Sequence, residues 1–388
     1  MKRIILTLVV MLLVLSFVPV LPASAAEIWI DAADKKPVTD YAYSFVVIGD
    51  TQVLCYNDAT KGTNYMSQVY DWIVANKEEK KIEYVFGLGD ITDQDWLATG
   101  KDEWRIAKEN IYKLNGVVPY SMVRGNHDSD TFFVQAFSVP EYKNQFDQFY
   151  KLYPTNSYRT ITICEDDYLM ITLDHGPKDD ELEWASKIIE QYPNHRVVIT
   201  THWYLGPDGQ PGDVVDYGSA KPIIKNHGTE IWNKLIKKHG NIFMVMSGHY
   251  SSSNLVLKQR VNPAGNKVTQ VLIDPQGYDA DVEPAGMIGI FYFSKDGKKI
   301  DVEYFSPIKN QYFREENQFS VRIPSGFLKE NMTTAPMTTT APTTIVTTAP
   351  ATTEAEQSSC QNMISPTAVV TVFISLGAAA VGCKKKRK

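Results

Sequence analysis

The sequence predicts an α/β protein made of two sheets with helices outside them. Short apolar runs alternate with segments of helical period through the first two thirds of the folded region. Strand-like runs crowd the last third. Five of the apolar runs end in Gly-Asp, Gly-Asn-His, Thr-His or Gly-His, which are strand-end sequences that can carry ligands. The first two features are the order expected of layered sheets covered by helices. The third says where a site would form.

Taken in order, "YSFVVIGD" is a short apolar strand ending at Asp50. In "NYMSQVYDWIVANKEEKK", Met66, Val69, Trp72 and Ile73 fall on one helical face. "EYVFGLGD" is a second strand, followed by the helical "DEWRIAKENIYKLN" with Trp104, Ala107, Ile111 and Leu114 on one side. "PYSMVRGNHD" is a third strand with a polar end. "YLMITLD" and "RVVITTH" are two more, separated by the helical "DDELEWASKIIEQY". The helix "GTEIWNKLIKKHG" and the strand "NIFMVMSGH" follow. The runs "NLVLKQRV", "KVTQVLID", "MIGIFYFS" and "KIDVEYFS" then read as antiparallel strands, with a hairpin at "SKDGKK".

The ends of the chain differ from this middle. Residues 1–26 combine Lys2 and Arg3, an apolar stretch and Ala23-Ser24-Ala25, the pattern of a secretory signal peptide. Residues 27–329 are the folded domain, roughly 300 residues and enough for one substantial core. Residues 330–362 are Thr- and Pro-rich and predict an extended stalk. Residues 363–383 are mostly apolar, about the length that spans hydrocarbon as a helix. Residues 384–388, "KKKRK", suit a cytoplasmic tail. The sequence thus predicts an extracellular domain anchored to the cell membrane by its C-terminal helix. Setting aside the seven basic residues at 2, 3 and 384–388 takes the formal net charge from −6 to −13. No basic patch interleaved with aromatics is evident, and so acidic a domain is a poor partner for nucleic acid. Of the four cysteines, Cys55 and Cys164 are the pair that lies inside the folded part.

The five strand ends read Gly49-Asp50-Thr51-Gln52, Gly89-Asp90-Ile91-Thr92-Asp93, Gly125-Asn126-His127-Asp128, Thr201-His202 and Gly248-His249-Tyr250-Ser251. In open α/β sheets, ligand sites gather beyond the C-terminal ends of strands, so five sequence-distant groups can meet in one crevice. A lone Gly-Asp is ordinarily a turn, and a lone buried His is ordinarily a core residue. The ordered set carries the signal.

This set resembles the calcineurin-like metallophosphoesterase superfamily, whose motifs run GDxH, GDxxD, GNH[DE], a single His and GHxH. The GDITD and RGNHD blocks match fully, and the resemblance covers nearly all of the folded region. It implies a four-layer αββα sandwich holding two divalent metal ions. By that resemblance Asp90 would bridge the ions and Asp50 would bind the first. Asn126, His202 and His249 would complete the second. His127 would meet a phosphate oxygen or the leaving group, with Asp93 orienting its ring. The residue types suit the chemistry, because two cations can clamp a phosphoryl group and lower the pKa of water. An imidazole can protonate the departing oxygen.

Two positions depart from the motifs. Gln52 stands where GDxH has His, and Ser251 where GHxH has its second His. Both histidines serve the first ion in the family, so the losses fall on one half of the centre. Gln52 can still offer a carbonyl oxygen to a hard cation. Asp50 and Asp90 suit Mg, Ca or Mn better than tightly held Fe or Zn. Three arrangements remain open: a weak first ion completed by substrate phosphate, a one-metal enzyme, or a protein that binds phosphorylated ligands without turnover. The expected activity is hydrolysis of a phosphomonoester or phosphodiester. The competing expectation is a cell-surface phospho-ligand-binding or adhesive module. Residues 204–228, rich in Gly and Pro, predict a loop over the site, with Tyr204, Asp213, Asp216 and His227 as candidate contacts. Asp174-His175 could line the crevice but reads first as a structural turn, and Trp203 reads as a packing residue.

Overall fold

The protein's computed structural model describes residues 29–212, 226–276 and 285–328. In chain order these form β1 (Trp29–Asp31), β2 (Tyr41–Ile48), α1 (Gln52–Lys61), α2 (Tyr65–Asn76), β3 (Ile82–Gly87), α3 (Gly100–Ile111) and β4 (Tyr120–Met122). Next come α4 (Asp130–Phe137), α5 (Pro140–Lys143), β5 (Gln148–Phe149), β6 (Ser157–Ile163), β7 (Asp166–Thr172), α6 (Asp179–Gln191), β8 (Arg196–Thr200) and α7 (Gly228–Lys234). The remainder is β9 (Ile242–Ser247), β10 (Ser252–Val261), β11 (Lys267–Asp274), β12 (Ile288–Ser294), β13 (Lys299–Ser306), β14 (Gln311–Phe313) and β15 (Phe319–Arg322).

Strand β2 shows why the chain layers as it does. Tyr43, Phe45 and Val47 point into one core, while Val46 and Ile48 point into another. A strand buried on both faces reads as a continuous apolar run, as "YSFVVI" does. The first sheet has the order β1-β14-β13-β12-β2-β3-β4, with β15 paired to β13. The second has the order β10-β11-β9-β8-β7-β6-β5. Their facing sides share one core, in which Phe45, Tyr84 and Phe86 meet Tyr168, Met170 and Met246. The outer face of the first sheet packs on Leu54, Val69, Ile73, Trp104 and Phe133 from α1 to α4. The outer face of the second packs on Leu182, Ile188 and Ile231 from α6 and α7. The result is helix, sheet, sheet, helix. Arg196 crosses the middle core fully buried, bonded to Asp166 at 2.7 Å and to the Phe327 carbonyl at 2.7 Å.

Two local expectations need correction. Helix α1, which starts at Gln52 directly behind Asp50, was not predicted. Its period is masked because it buries polar residues, Asn57 and Asp58 among them. The Asp58 carboxylate accepts the Tyr65 and Met66 amides at 2.8 and 2.9 Å and so caps α2. The second correction concerns β11, which was read as part of an antiparallel run. It pairs antiparallel with β10 but parallel with β9, through Thr269↔Met244 to Leu272↔Ser247. Apolar alternation is the same in both directions, so the sequence pattern could not distinguish them.

The chain divides into two units, Met1–Pro336 and Met337–Lys388. The second lies outside the described residues. So do the expected signal peptide at 1–26, the stalk, the membrane segment at 363–383, the basic tail, and Asp213 and Asp216 of the expected loop. Among the described residues, no helix is long and apolar enough to cross a membrane. Cys55 is buried, with its thiol donating to the Glu103 carbonyl, and it is not bonded to the exposed Cys164.

Candidate metal centre

Strands β2, β3 and β4 are mutually parallel in the first sheet, and β8, β9 and β11 are parallel in the second. Their C-terminal ends deliver the expected residues to one place. Asp90, His202 and His249 each offer a ligand atom within 4.8 Å of the others. Asn126 joins them, with its Oδ1 2.8 Å from His249 Nδ1 and 3.1 Å from His202 Nε2. Asp90 Oδ2 lies 3.2 Å from the same His202 Nε2.

The tautomer of His202 makes this cluster informative. Its Nδ1–H donates to the Leu88 carbonyl at 2.9 Å, so Nε2 turns a lone pair toward Asn126 and Asp90. Three acceptors then face one another with no proton between them, and a cation or an extra proton is needed there. Burial alone would raise Asp90, yet the adjoining His202 and His127 rings hold it down at about 2. Burial would likewise lower His202, but Asp90 raises it. His249 is pushed down to about 3, first by burial and then by neighbouring His202, and is neutral and ready to ligate. Its Nε2 is buried without a hydrogen-bond partner. Two nitrogens, an amide oxygen and a carboxylate fit a divalent transition metal.

The backbone is shaped around these groups. Asp90 and His249 both adopt positive φ, +43° and +73°, a costly conformation typical of functional loops. A Cβ at Gly125 would lie 2.0 Å from Asp90 Oδ1, and one at Gly248 would lie 2.0 Å from Asp50 Oδ1. Each glycine makes room for the carboxylate of another strand. The His127 amide donates to Asp90 Oδ1 at 2.9 Å, and the His249 amide to Asp50 Oδ2 at 3.1 Å. The second of these bonds ties the two sheets together at the site.

His127 sits at the rim, partly exposed. Its Nδ1 contacts the Asp93 backbone carbonyl at 2.6 Å and the Asp93 carboxylate at 3.6 Å. The ring is therefore oriented chiefly by the main chain of Asp93, where a side-chain contact was expected. Trp96, which is 63% exposed, packs against the same ring at 5.8 Å between centroids. A residue whose part was not read from the sequence is Asp128. Fully buried, it accepts the Ile91, Thr92 and Gly125 amides at 2.9–3.0 Å and binds the GDITD loop to the GNHD loop. Burial, then Asp90, lifts its carboxyl to about 6.

The Asp50 half looks different. Burial, then Asp274 and Asp90, hold the Asp50 carboxyl well above the usual range. Gln52 is buried and its Oε1 has no hydrogen-bond partner. Asp274, absent from the sequence reading, ends β11 fully buried and is lifted to about 7, chiefly by burial. Ser251 is half-buried and immediately precedes β10, whose first residue, Ser252, pairs with Asp274.

The remaining candidates separate cleanly. Tyr204 is buried and bonded to Gln270 at 2.5 Å, and His227 is buried against Glu230. Trp203 packs on the His249 ring at 4.3 Å. Asp174 takes a two-pronged bond from Arg124 at 2.8 and 2.9 Å and is itself part of a cleft wall. Arg124 and His175 also line a neighbouring cleft of about 650 Å³, with Tyr153, Lys151 and Lys178 at its walls.

The family model for calcineurin-like phosphoesterases matches residues 43–251, from β2 to Ser251. YvnB, an uncharacterized protein of Bacillus subtilis strain 168, is 25% identical over 299 residues, covering 74% of this chain and 21% of that protein. The chain thus spans about a fifth of the length of this relative. Among solved structures, a dimetal phosphatase from Danio rerio is 12% identical with a TM-score of 0.47, over 74% of this chain and 99% of that one. A purple acid phosphatase, PPD1, from yellow lupin seeds is 14% identical with a TM-score of 0.46, over 79% of this chain and 58% of that one.

Proposed function

The chain belongs to the calcineurin-like phosphoesterases, metal-dependent phosphoester hydrolases, and from that premise we propose that it hydrolyses a phosphomonoester or phosphodiester outside the cell. The observation that carries this reading is the convergence of Asp90, Asn126, His202 and His249, with His127 presented beside them. Divalent ions, when bound, supply charge to the phosphoryl oxygens and acidify water. The chain's own residues then have the following parts.

Asp90, Asn126, His202 and His249 would hold one ion, and Asp50, Gln52 and Asp90 would supply oxygens to a second. His202 is locked by Leu88 in the tautomer that leaves Nε2 free to ligate. His127 is held at Nδ1 by the Asp93 carbonyl, which leaves Nε2 to meet a phosphate oxygen or give a proton to the leaving oxygen. Arg124 is satisfied by Asp174 and Asp130 and positions the GNHD loop, leaving phosphate recognition to other groups. The neighbouring cleft accommodates the rest of the substrate, with Lys151 and Lys178 favouring an anionic or polar group. The extracellular setting rests on the signal-like residues 1–26, and protease shaving of intact cells tests it.

The activity test is turnover of bis-p-nitrophenyl phosphate with added Mn²⁺. Asp90→Asn should abolish turnover and lower bound metal. His127→Ala should cut kcat by about 10²–10⁴-fold while metal content is kept. No turnover by the wild type across a panel of metals and phosphoesters would overturn hydrolysis and favour a binding module.

A further inference from the structure

We propose that Asp274, with Gln276 beside it, completes the Asp50 half of the centre as an oxygen ligand set, replacing the side chains that positions 52 and 251 no longer supply. This rests on the metal-dependent reading above and names residues beyond the family-matched segment 43–251.

Topology brings Asp274 to the site. Because β11 runs parallel to β9, its C-terminal end opens on the same edge as Gly248-His249. Asp274 pairs across β10/β11 with Ser252, so it stands one position along from Ser251. The ends of β2 and β11 also touch. A Cβ at Gly49 would lie 2.5 Å from the Ile273 carbonyl oxygen, and Asp50 and Asp274 are the next residues along the chain from these two.

Gln276 joins the two carboxylates. Its backbone amide donates to Asp274 Oδ1 at 3.1 Å, and its Nε2 lies 3.5 Å from Asp50 Oδ2. What remains unsatisfied is all oxygen. Asp274 Oδ2, Gln276 Oε1 and Gln52 Oε1 are each buried with no hydrogen-bond partner. Asp274 is 0% exposed and Gln52 6%. Three buried acceptors without donors are costly unless a cation meets them. A structural role for Asp274 would be discharged by its contacts with Gln276 and would leave the buried Gln52 oxygen unexplained.

The chemistry of the set fixes the ion class. Two carboxylates and two amide oxygens suit Mn²⁺, Mg²⁺ or Ca²⁺, whereas the His202/His249 half suits transition metals. The two halves therefore differ in which ion they prefer.

Mn²⁺ binding to the full chain tests this by titration calorimetry, metal analysis and electron paramagnetic resonance. Wild type should take two ions per chain, with the spectrum of a coupled pair. Asp274→Asn keeps an acceptor for the Gln276 amide but loses the charge. It should keep one ion with the wild-type affinity of the tighter site, and the coupled signal should vanish. Gln276→Ala, on a less buried side chain, should weaken the second ion several-fold. In Asp274→Cys loaded with Co²⁺, a thiolate-to-cobalt charge-transfer band absent from wild type would report direct ligation. The proposal is overturned if both Asp274→Asn and Gln276→Ala keep two ions at wild-type affinity, or if wild type binds a single ion. Binding of no ion at all would instead sink the phosphoesterase reading itself.

Discussion

The two halves of the centre are built on different principles. The half around His202 is preorganised, with Nδ1 committed to Leu88 and Nε2 aimed at Asn126 and Asp90. The half around Asp50 has no imidazole. In the arrangement proposed above it draws on Asp50, Gln52, Asp274 and Gln276, and Oε1 of Gln52, Oδ2 of Asp274 and Oε1 of Gln276 are buried without partners. A nitrogen donor fixed by a second hydrogen bond defines a site before any metal arrives. An oxygen set of like charges cannot do so, because its members repel one another until a cation is present. One half should therefore bind tightly and the other weakly.

The largest effect should come from the nitrogen half. His202→Ala should release the tighter ion and reduce turnover to background at every Mn²⁺ concentration. Asp50→Asn should lose only the weaker ion and recover part of its turnover as Mn²⁺ is raised. Equal, unrecoverable losses in both variants would erase the distinction.

Next in size is Asp128→Ala, which strips the bracket between the GDITD and GNHD loops. It should cost about 1–3 kcal/mol for each buried amide left unsatisfied, read by urea unfolding. Metal binding by both halves should weaken together, since the loops on which Asp90 and Asn126 sit would loosen.

Restoring an imidazole should narrow the contrast. Gln52→His should tighten the weaker ion by about tenfold or more and shift its preference toward Zn²⁺. Competition between Mn²⁺ and Zn²⁺ followed by metal analysis reads this directly. An unchanged preference would mean that position 52 does not reach the ion.

The smallest effect is a slope with pH in the metal-free protein. Asp274 is lifted to about 7 and Asp50 is lifted in the same direction, each chiefly by burial. Both therefore bind a proton more tightly folded than unfolded. Their contribution to stability is fully present below the ordinary carboxylate pKa and is lost as pH rises through about 7. His249, held down at about 3, contributes the opposite slope, so the acid pair is read by difference in thermal unfolding. Between pH 4 and 8 the metal-free stability of wild type should fall with pH relative to that of Asp274→Asn, and Mn²⁺ should flatten the difference. A difference that rises with pH over that range would contradict the buried acid pair.

Much of this was legible beforehand. Asp50, Asp90, Asn126, His202 and His249 each end an apolar run, and the geometry of a strand end is local, so the sequence exposes it. Gln52 was legible as a departure. Asp93 was expected to orient His127 by its side chain, whereas the contact passes mainly through its backbone carbonyl, which no side-chain pattern reports. Asp128 was visible in GNHD but silent, because accepting three amides depends on where two loops meet. Helix α1 was hidden by its buried polar residues.

Asp274 marks the boundary between the two kinds of knowledge. In "VLIDPQG" it looks like any acid before a turn. Only the parallel pairing of β11 with β9, and the approach of Ile273 to Gly49, bring it beside Asp50. The sequence alone determined the layers, the strand ends and the ligand types, because hydrophobic period and side-chain chemistry are carried residue by residue. Which residues complete the Asp50 half was decided by tertiary structure. Strand direction and register join segments more than two hundred residues apart, and period-two alternation reads the same either way.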